Sequence, residues 1–218
     1  MTRIDSITLE GPDPAGASAF YVALGLGERV HARSSSEPAT GFRGFTLSLL
    51  VSQPGNVDLL TGAALDLGAT AIKPVAKSFW GYGGVVEAPD GAILKIATSS
   101  KKDAGPAERT IDDLVLLLGA SDVKASKSFY VEQGFAVKRS FGGRYAEFEG
   151  AGSSIKLALY GRRALAKDAG VSPDGGGAHR ILLGSDAGTF TDPDGFAWEP
   201  AIGARRAAPA ASAVPQVV

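Results

Sequence analysis

"TDPDGFAWE", residues 191–199, is nearly repeated earlier in the chain as "EAPDGAILK", residues 87–95. Each stretch contains a Pro-Asp-Gly turn, then three residues, then a charged side chain. Pro, Asp and Gly favour tight turns, so each stretch predicts a turn that leads into a strand. One stretch ends in Lys95 and the other in Glu199. The sequence therefore predicts two related halves whose equivalent strands carry opposite charges.

A second repeat predicts a helix near the start of each half. "DPAGASAFYVALG" at 13–25 and "DVKASKSFYVEQG" at 122–134 share Asp, Phe-Tyr-Val and Gly at the same spacing. Asp13 and Asp122 stand where a helix N-cap is expected, and the final glycines favour helix ends. Each repeat follows an apolar stretch that predicts a strand. Each half is therefore predicted to begin with a strand, a helix and further strands.

The two halves differ in their second helix. "NVDLLTGAALDLGA", residues 56–69, places its apolar side chains on one helical face and predicts a helix. No equivalent pattern occurs between His179 and Asp192. The second half is therefore predicted to have a shortened second module.

The polar segment "KKDAGPAE", residues 101–108, is rich in turn-forming residues and predicts a linker. It separates a predicted domain 1–100 from a predicted domain 109–203. The remaining segment, 204–218, is rich in Ala and Pro without periodicity and is expected to be disordered.

Composition excludes several classes of protein. Of the 218 residues, 44% are apolar and 21% charged, as in ordinary globular domains. The net charge of −1 gives no reason to expect binding to nucleic acid or to a membrane. The chain has no cysteine, so it can form no disulfide, thiolate metal site or thiol nucleophile. Without a predicted signal peptide or membrane helix, a cytoplasmic location is expected.

The paired "FYV" segments and the closing "TDPDGFAWE" resemble the vicinal oxygen chelate superfamily, which includes glyoxalase I, bleomycin-resistance proteins and extradiol dioxygenases. The resemblance covers roughly residues 3–203. It implies an α+β fold of two tandem glyoxalase-like domains, built from βαβββ modules with curved, mainly antiparallel sheets that form cups. It further implies that the two halves pack as an internal pseudo-dimer, and a homodimer is an additional possibility.

Catalytic members of this superfamily hold a divalent metal in the cup with His and Glu side chains. By resemblance, the ligand that closes the last strand of the first domain falls at Lys95, and another falls near Ser6. An ammonium group has no lone pair for a metal, and a serine hydroxyl is a poor ligand. The strand "GFTLSLLV", residues 44–51, adds no His or carboxylate. The first domain is therefore predicted to bind no metal.

The second domain offers two weak metal candidates, His179 and Glu199. Its first strand has Val115 where the resemblance implies a histidine, and Lys156 lies near the place of a carboxylate. The alternative is that His179 caps a strand and that Glu199 pairs with Lys156 or an arginine. We expect no cofactor, and the alternative is a divalent ion (Zn, Ni, Mn or Fe).

Aromatic residues near glycines suggest the walls of a binding cup. Such side chains can stack on a flat ligand, although core packing and an interdomain interface explain them equally well. Lys95 is predicted to pair with an anionic or phenolic group of that ligand. The candidate ligand-binding residues are Trp80, Tyr82, Lys95, Phe141, Tyr145 and Trp198.

Three functions fit these patterns. We predict a metal-free protein that binds a small aromatic or apolar organic molecule, as in the bleomycin-resistance branch. The first alternative is a metal-dependent lyase, isomerase or dioxygenase with a site around His179 and Glu199. The second is a structural or regulatory relic whose cups are filled by its own side chains. No motif assigns catalytic residues, so the sequence leaves enzymatic activity open.

Overall fold

The computed structural model describes residues 2–79, 81–150 and 152–201. Two features of the sequence lie outside these residues: the candidate ligand-binding residue Trp80 and the tail 204–218. Among the described residues, no helix is long and apolar enough to cross a membrane.

The described chain contains four helices and fifteen strands. The helices are α1 (Pro14–Ala23), α2 (Pro54–Asp66), α3 (Val123–Glu132) and α4 (Arg162–Ala169). The strands of the first half are β1 (Ile4–Gly11), β2 (Val30–Ser34), β3 (Ala39–Gly41), β4 (Phe45–Leu50), β5 (Thr70–Ser78), β6 (Gly81–Glu87) and β7 (Ile93–Thr98). Those of the second half are β8 (Asp113–Ala120), β9 (Val137–Phe141), β10 (Tyr145–Phe148), β11 (Lys156–Gly161), β12 (Gly175–Gly177), β13 (Ile181–Ser185), β14 (Phe190–Thr191) and β15 (Ala197–Pro200).

The largest sheet has eight strands in the order β5-β6-β7-β4-β8-β11-β10-β9. Five of its seven strand pairs are antiparallel, and two, β4 with β7 and β8 with β11, are parallel. One face of this sheet packs against α2 and α3 through the main hydrophobic core. The α+β class with curved sheets is confirmed.

Each large sheet combines strands from both halves of the chain. The centre of the eight-stranded sheet is the antiparallel pair of β4 and β8. The five-stranded sheet, β14-β15-β13-β1-β2, joins β1 of the first half to β13 of the second. Lys95 and Lys156, which the sequence analysis assigned to separate cups, therefore belong to one sheet. The physical reason is that five of the six residues of β4 are buried, and the backbone of so buried a strand needs hydrogen-bonding neighbours on both edges, which β7 and β8 supply.

The predicted helix caps are confirmed. The side chain of Asp13 accepts a hydrogen bond from the backbone N–H of Gly16, and that of Asp122 accepts one from Lys124. Gly25 follows α1 with φ of 80°, a backbone conformation that other residues rarely adopt. The repeated pattern therefore fixes both ends of the repeated helix.

The Pro-Asp-Gly turns are held by the tyrosines of the repeated "FYV" segments. The Tyr21 hydroxyl donates at 3.1 Å to Asp90, the aspartate of the first turn, and the Tyr130 hydroxyl donates at 2.7 Å to Asp192, which directly precedes the second turn. Each tyrosine lies on a helix of its own half and reaches the turn before that half's last strand. The repeat therefore docks a helix onto a turn in each half of the chain.

The structure contains a helix that the sequence analysis did not predict. Helix α4 follows β11 directly and buries Leu165, Ala166 and Ala169. It packs against β4, β8 and β11, next to the concave side of the eight-stranded sheet. The described residues between His179 and Asp192 contain no helix, but α4 follows β11 in the second half as α2 follows β4 in the first, so the second half has a second helix of its own.

Candidate functional site

The concave face of the eight-stranded sheet holds an open cleft of about 730 Å³. Strands β4 to β11 all contribute to its walls, and α4 closes one end. Its volume is in the range of sites that bind small organic molecules. The polar residues that line it are Ser48, Lys73, Lys77, Ser78, Tyr82, Lys95, Thr98, Ser99, Asp113, Lys138, Arg139, Tyr145, Glu147, Lys156 and Asp168.

A row of four side chains crosses the floor of the cleft. Ser48 of β4 is in register with Lys95 of β7 on one side and with Val115 of β8 on the other. Val115 is in register with Lys156 of β11. Side chains in register on neighbouring strands lie on the same face of a sheet. The row therefore runs Lys95, Ser48, Val115, Lys156, with one lysine at each end.

Each lysine of the row is paired with an aspartate that also lines the cleft. Lys95 Nζ lies 2.6 Å from Asp168 Oδ2, at the end of α4. Lys156 Nζ lies 2.6 Å from Asp113 Oδ2, at the start of β8. All four side chains are between 35% and 41% exposed, so both ion pairs are open to solvent.

A second ion cluster, built around a buried carboxylate with two exposed cations, forms the wall made by β9 and β10. Glu147 accepts from Arg139 at 2.6 Å and pairs with Lys138 at 3.1 Å, with its own side chain only 10% exposed. Burial alone would raise the pKa of Glu147, but the hydrogen bonds from Lys138 and Arg139 outweigh it and hold that pKa below its ordinary value. The Glu147 carboxyl group is therefore ionised at neutral pH.

Tyr145 lies beside this anion and lines the cleft. Its hydroxyl donates to Glu147 Oε2 at 3.3 Å. Burial and the neighbouring Glu147 carboxylate raise the pKa of Tyr145 to about 12. The phenol is therefore a hydrogen-bond donor, and not a base, at physiological pH.

The raised pKa of Tyr145 predicts how the protein titrates at alkaline pH. We expect the absorbance difference between wild type and Tyr145→Phe to show one phenol that ionises with a pKa of about 12. Since the folded pKa exceeds the unfolded one, the stabilisation from this group is present below about pH 10 and is lost as the pH rises through 12. A difference titration with its midpoint at the ordinary tyrosine value would contradict this environment.

The cleft is strongly cationic, although the whole chain is not. Among the described residues that line it, six are cationic, namely Lys73, Lys77, Lys95, Lys138, Arg139 and Lys156, and three are anionic, namely Asp113, Glu147 and Asp168. The lining therefore carries a net charge of +3, whereas the net charge of the chain is −1. A concave site with this excess attracts anionic molecules.

The structure brings three of the predicted ligand-binding residues into the cleft and leaves two outside. Lys95, Tyr82 and Tyr145 line it. The Tyr82 hydroxyl donates to Asp58 at 2.8 Å. Phe141 is 61% exposed at the end of β9 and contacts Tyr145 instead.

Trp198 is not a cleft residue. It is 1% exposed, stacks on Phe190, and donates from its indole N–H to the Tyr130 hydroxyl. The prediction that it lines a cup is therefore corrected. The alternating pattern of β15 turns Trp198 into the core, where Tyr130 of α3, Phe135 just after that helix and Phe190 of β14 surround it.

His179 and Glu199 do not converge on a common site. The nitrogens of His179 lie 2.6 Å from the carbonyl oxygen of Arg43 and 2.9 Å from that of Asp194, and its ring stacks on Phe196. Glu199 is in register with Gly184 on β13, five residues beyond His179. Both ring nitrogens of His179 are thus engaged with backbone carbonyls.

The residues present do not fit a divalent metal. The floor of the cleft offers two ammonium groups, a hydroxyl and an alkyl side chain, whereas such ions need several imidazole or carboxylate donors. Among residues 2–79, 81–150 and 152–201, no three His, Asp or Glu side chains are grouped to hold an ion.

Sequence reasoning missed the partners of the row. In the sequence, Ser48 stands in a strand without metal donors, and no motif marks Asp168, Arg139 or Glu147 as site residues. A local signal existed for Glu147, because it stands between the apolar residues Ala146 and Phe148 of a predicted strand. No local signal connects Asp168 to Lys95, which are 73 residues apart.

Known proteins share the fold but not the sequence. No protein-family model matches the chain, and no curated protein sequence is significantly similar to it. Glyoxalase I from Zea mays superimposes with a TM-score of 0.58 at 13% identity, covering 91% of each chain. A candidate dioxygenase from Bacillus subtilis strain 168 superimposes with a TM-score of 0.50 at 14% identity, covering 83% of this chain and 69% of the other. On this evidence the chain has the vicinal oxygen chelate superfamily fold.

Proposed function

We propose that this protein binds a small organic anion in the cleft of the eight-stranded sheet without a metal ion. The observation that carries the proposal is the row on the cleft floor, which has a lysine at each end and no metal donor. A lysine can bind a carboxylate or phenolate through charge-assisted hydrogen bonds. The ligand is therefore held by cations of the protein.

The walls of the cleft favour an organic anion over an inorganic one. Apolar side chains, among them Leu50, Pro74, Val85 and Leu117, line it together with Tyr82 and Tyr145. Burial of apolar ligand surface contributes roughly 25 cal/mol per Å² before the costs of association. A flat aromatic ring with one acidic group uses both the apolar walls and the charged floor.

The proposal is tested with 2-naphthoate, a flat aromatic carboxylate, and with naphthalene-2-methanol as its neutral counterpart. We expect isothermal titration calorimetry to show one molecule of 2-naphthoate bound per chain, at least about tenfold more tightly than the alcohol, the equivalent of about 1.4 kcal/mol. Lys95→Met should weaken the binding of 2-naphthoate and leave that of the alcohol unchanged.

Lys102→Met is the matched control. It also removes one cation, but Lys102 is exposed and lies outside the cleft, so its binding of 2-naphthoate should equal that of wild type. Prior dialysis against a chelator should not change any of these affinities. If neither probe binds to the wild-type protein, or if Lys102→Met weakens binding as much as Lys95→Met, the proposal fails.

A further inference from the structure

We propose that the ligand of this cleft carries two acidic groups, one bound by Lys95 and the other by Lys156, and that they displace Asp168 and Asp113 from these lysines. The inference rests on the proposed function, since it concerns the same cleft. It specifies the ligand class as a flat molecule with an acidic group at each of two ends.

The first argument is the symmetry of the row. Strands β4 and β8 pair antiparallel at the centre of the sheet, and each has a parallel neighbour on its outer side, β7 and β11. Lys95 and Lys156 occupy equivalent positions on those two outer strands. Their Cα atoms are three strand spacings apart, or about 14 Å, before the sheet curves. Both side chains line the same cleft and can reach inward from its two ends.

The second argument is that both lysines already hold a carboxylate. Asp168 and Asp113 come from different elements, yet each lies 2.6 Å from its lysine. Each aspartate thus shows where a carboxylate oxygen of a ligand would bind. The cleft contains this arrangement twice, once at each end of the row.

The third argument is the small cost of displacement. Ion pairs between side chains this exposed contribute little to stability, and the released aspartates regain water. By contrast, the side chain of Glu147 is only 10% exposed and is held by both Arg139 and Lys138. Lys95 and Lys156 are therefore the cations that a ligand can take over, whereas the Arg139–Glu147 pair stays closed.

The fourth argument is the charge of the lining. Its net charge of +3 is more than one acidic group neutralises. A ligand with two acidic groups reduces the net charge of the lining to +1. The attraction that the second acidic group adds falls as the ionic strength rises, because the cleft is open to solvent. A ligand with two acidic groups is therefore favoured over one with a single group, most clearly at low salt.

The test compares naphthalene-2,6-dicarboxylate with 2-naphthoate by calorimetry at low ionic strength. We expect the dicarboxylate to bind wild type at least about tenfold more tightly. In both Lys156→Met and Lys95→Met this advantage should shrink to about twofold or less. Lys102→Met should bind the dicarboxylate more tightly than 2-naphthoate by the same factor as wild type.

Substitution of the aspartates should raise the affinity for the dicarboxylate, whereas substitution of the lysines should lower it. Asp168→Asn and Asp113→Asn keep the side-chain shape but remove the competing charge, so each should tighten binding of the dicarboxylate about threefold or more. If 2-naphthoate binds but the dicarboxylate has no advantage, or if the asparagine variants bind it more weakly, this inference is wrong while the proposed function stands. If neither compound binds to wild type, the proposed function itself fails.

Discussion

Trp198→Ala is expected to lower the free energy of unfolding by about 3–5 kcal/mol, the usual cost of truncating a buried tryptophan. Trp198 is 1% exposed and has ring contacts with Tyr130, Phe135 and Phe190 at centroid distances of 5.2 to 5.6 Å. Its removal leaves a cavity among aromatic rings, which are too rigid to collapse into it. The Tyr130 hydroxyl also loses its indole donor.

The loss is measured by urea unfolding, with Phe141→Ala as the matched control. Phe141 is an aromatic residue that the sequence also suggested as a ligand contact, but it is 61% exposed. Its truncation should change the free energy of unfolding by no more than about 0.5 kcal/mol. If Trp198→Ala unfolds at the urea concentration of wild type, the side chain is not buried in the core as described.

Much of the fold could be predicted because its signals are local. The Asp13 and Asp122 caps, the glycines after α1 and α3, and the Pro-Asp-Gly turns each act within a few residues. The same pattern occurs at matching spacing in both halves, which strengthens the prediction for each half. Apolar strands next to such helices then indicated an α+β fold.

The pairing of the halves could not be predicted from these signals. The apolar pattern of β4 shows that both its faces are buried, but not which strand lies beside it. Its neighbours are β7 of its own half and β8 of the other half. Strand pairing depends on contacts that are distant in the sequence, and a single sequence does not reveal them.

The cleft could not be predicted for the same reason, because its residues are distant from one another in the sequence. Lys95 was found through its place after a Pro-Asp-Gly turn, and Lys156 through its place near a missing carboxylate. Their assignment to one row depends on three registers, Lys95 with Ser48, Ser48 with Val115, and Val115 with Lys156. Their partners come from β8 and α4, and only the fold brings these close.

Helix α4 escaped prediction because its sequence is short and polar. "RRALAKDA" at 162–169 buries three residues, and it follows β11 without a turn signal or a side-chain N-cap. Yet it touches both halves of the chain. Leu165 packs in a small cluster with Phe42, Val85 and Ile93, which is separate from the main core.

Lysines of the first half hold the end of this helix. Lys73 Nζ donates to the carbonyl oxygens of Lys167 at 3.1 Å and of Asp168 at 2.6 Å. Lys95 Nζ donates to the Asp168 carboxylate. Cations at a helix C-terminus satisfy its free carbonyl groups and complement its dipole. The position of α4 therefore depends on one small apolar cluster, on two half-buried lysines and on the hydrogen bond from Arg162 to the carbonyl oxygen of Phe42. A local opening of this helix is expected to cost less than global unfolding.

Leu165→Ala is the sharpest test of that arrangement. Leu165 is 1% exposed, so its truncation should remove about 2–5 kcal/mol of stabilisation. Because the cluster is separate from the main core, we expect the loss to fall mainly on α4. Native-state hydrogen exchange should then show faster exchange for the amides of Ala169 and Gly170, with those of β4 and β8 little changed.

Arg163→Ala, an exposed position on the same helix, should leave both regions as in wild type. If Leu165→Ala accelerates exchange equally in α4 and in the central strands, the helix opens only when the whole sheet unfolds. The cleft would then have a fixed end, with Asp168 free to leave Lys95 only by rotation of its own side chain.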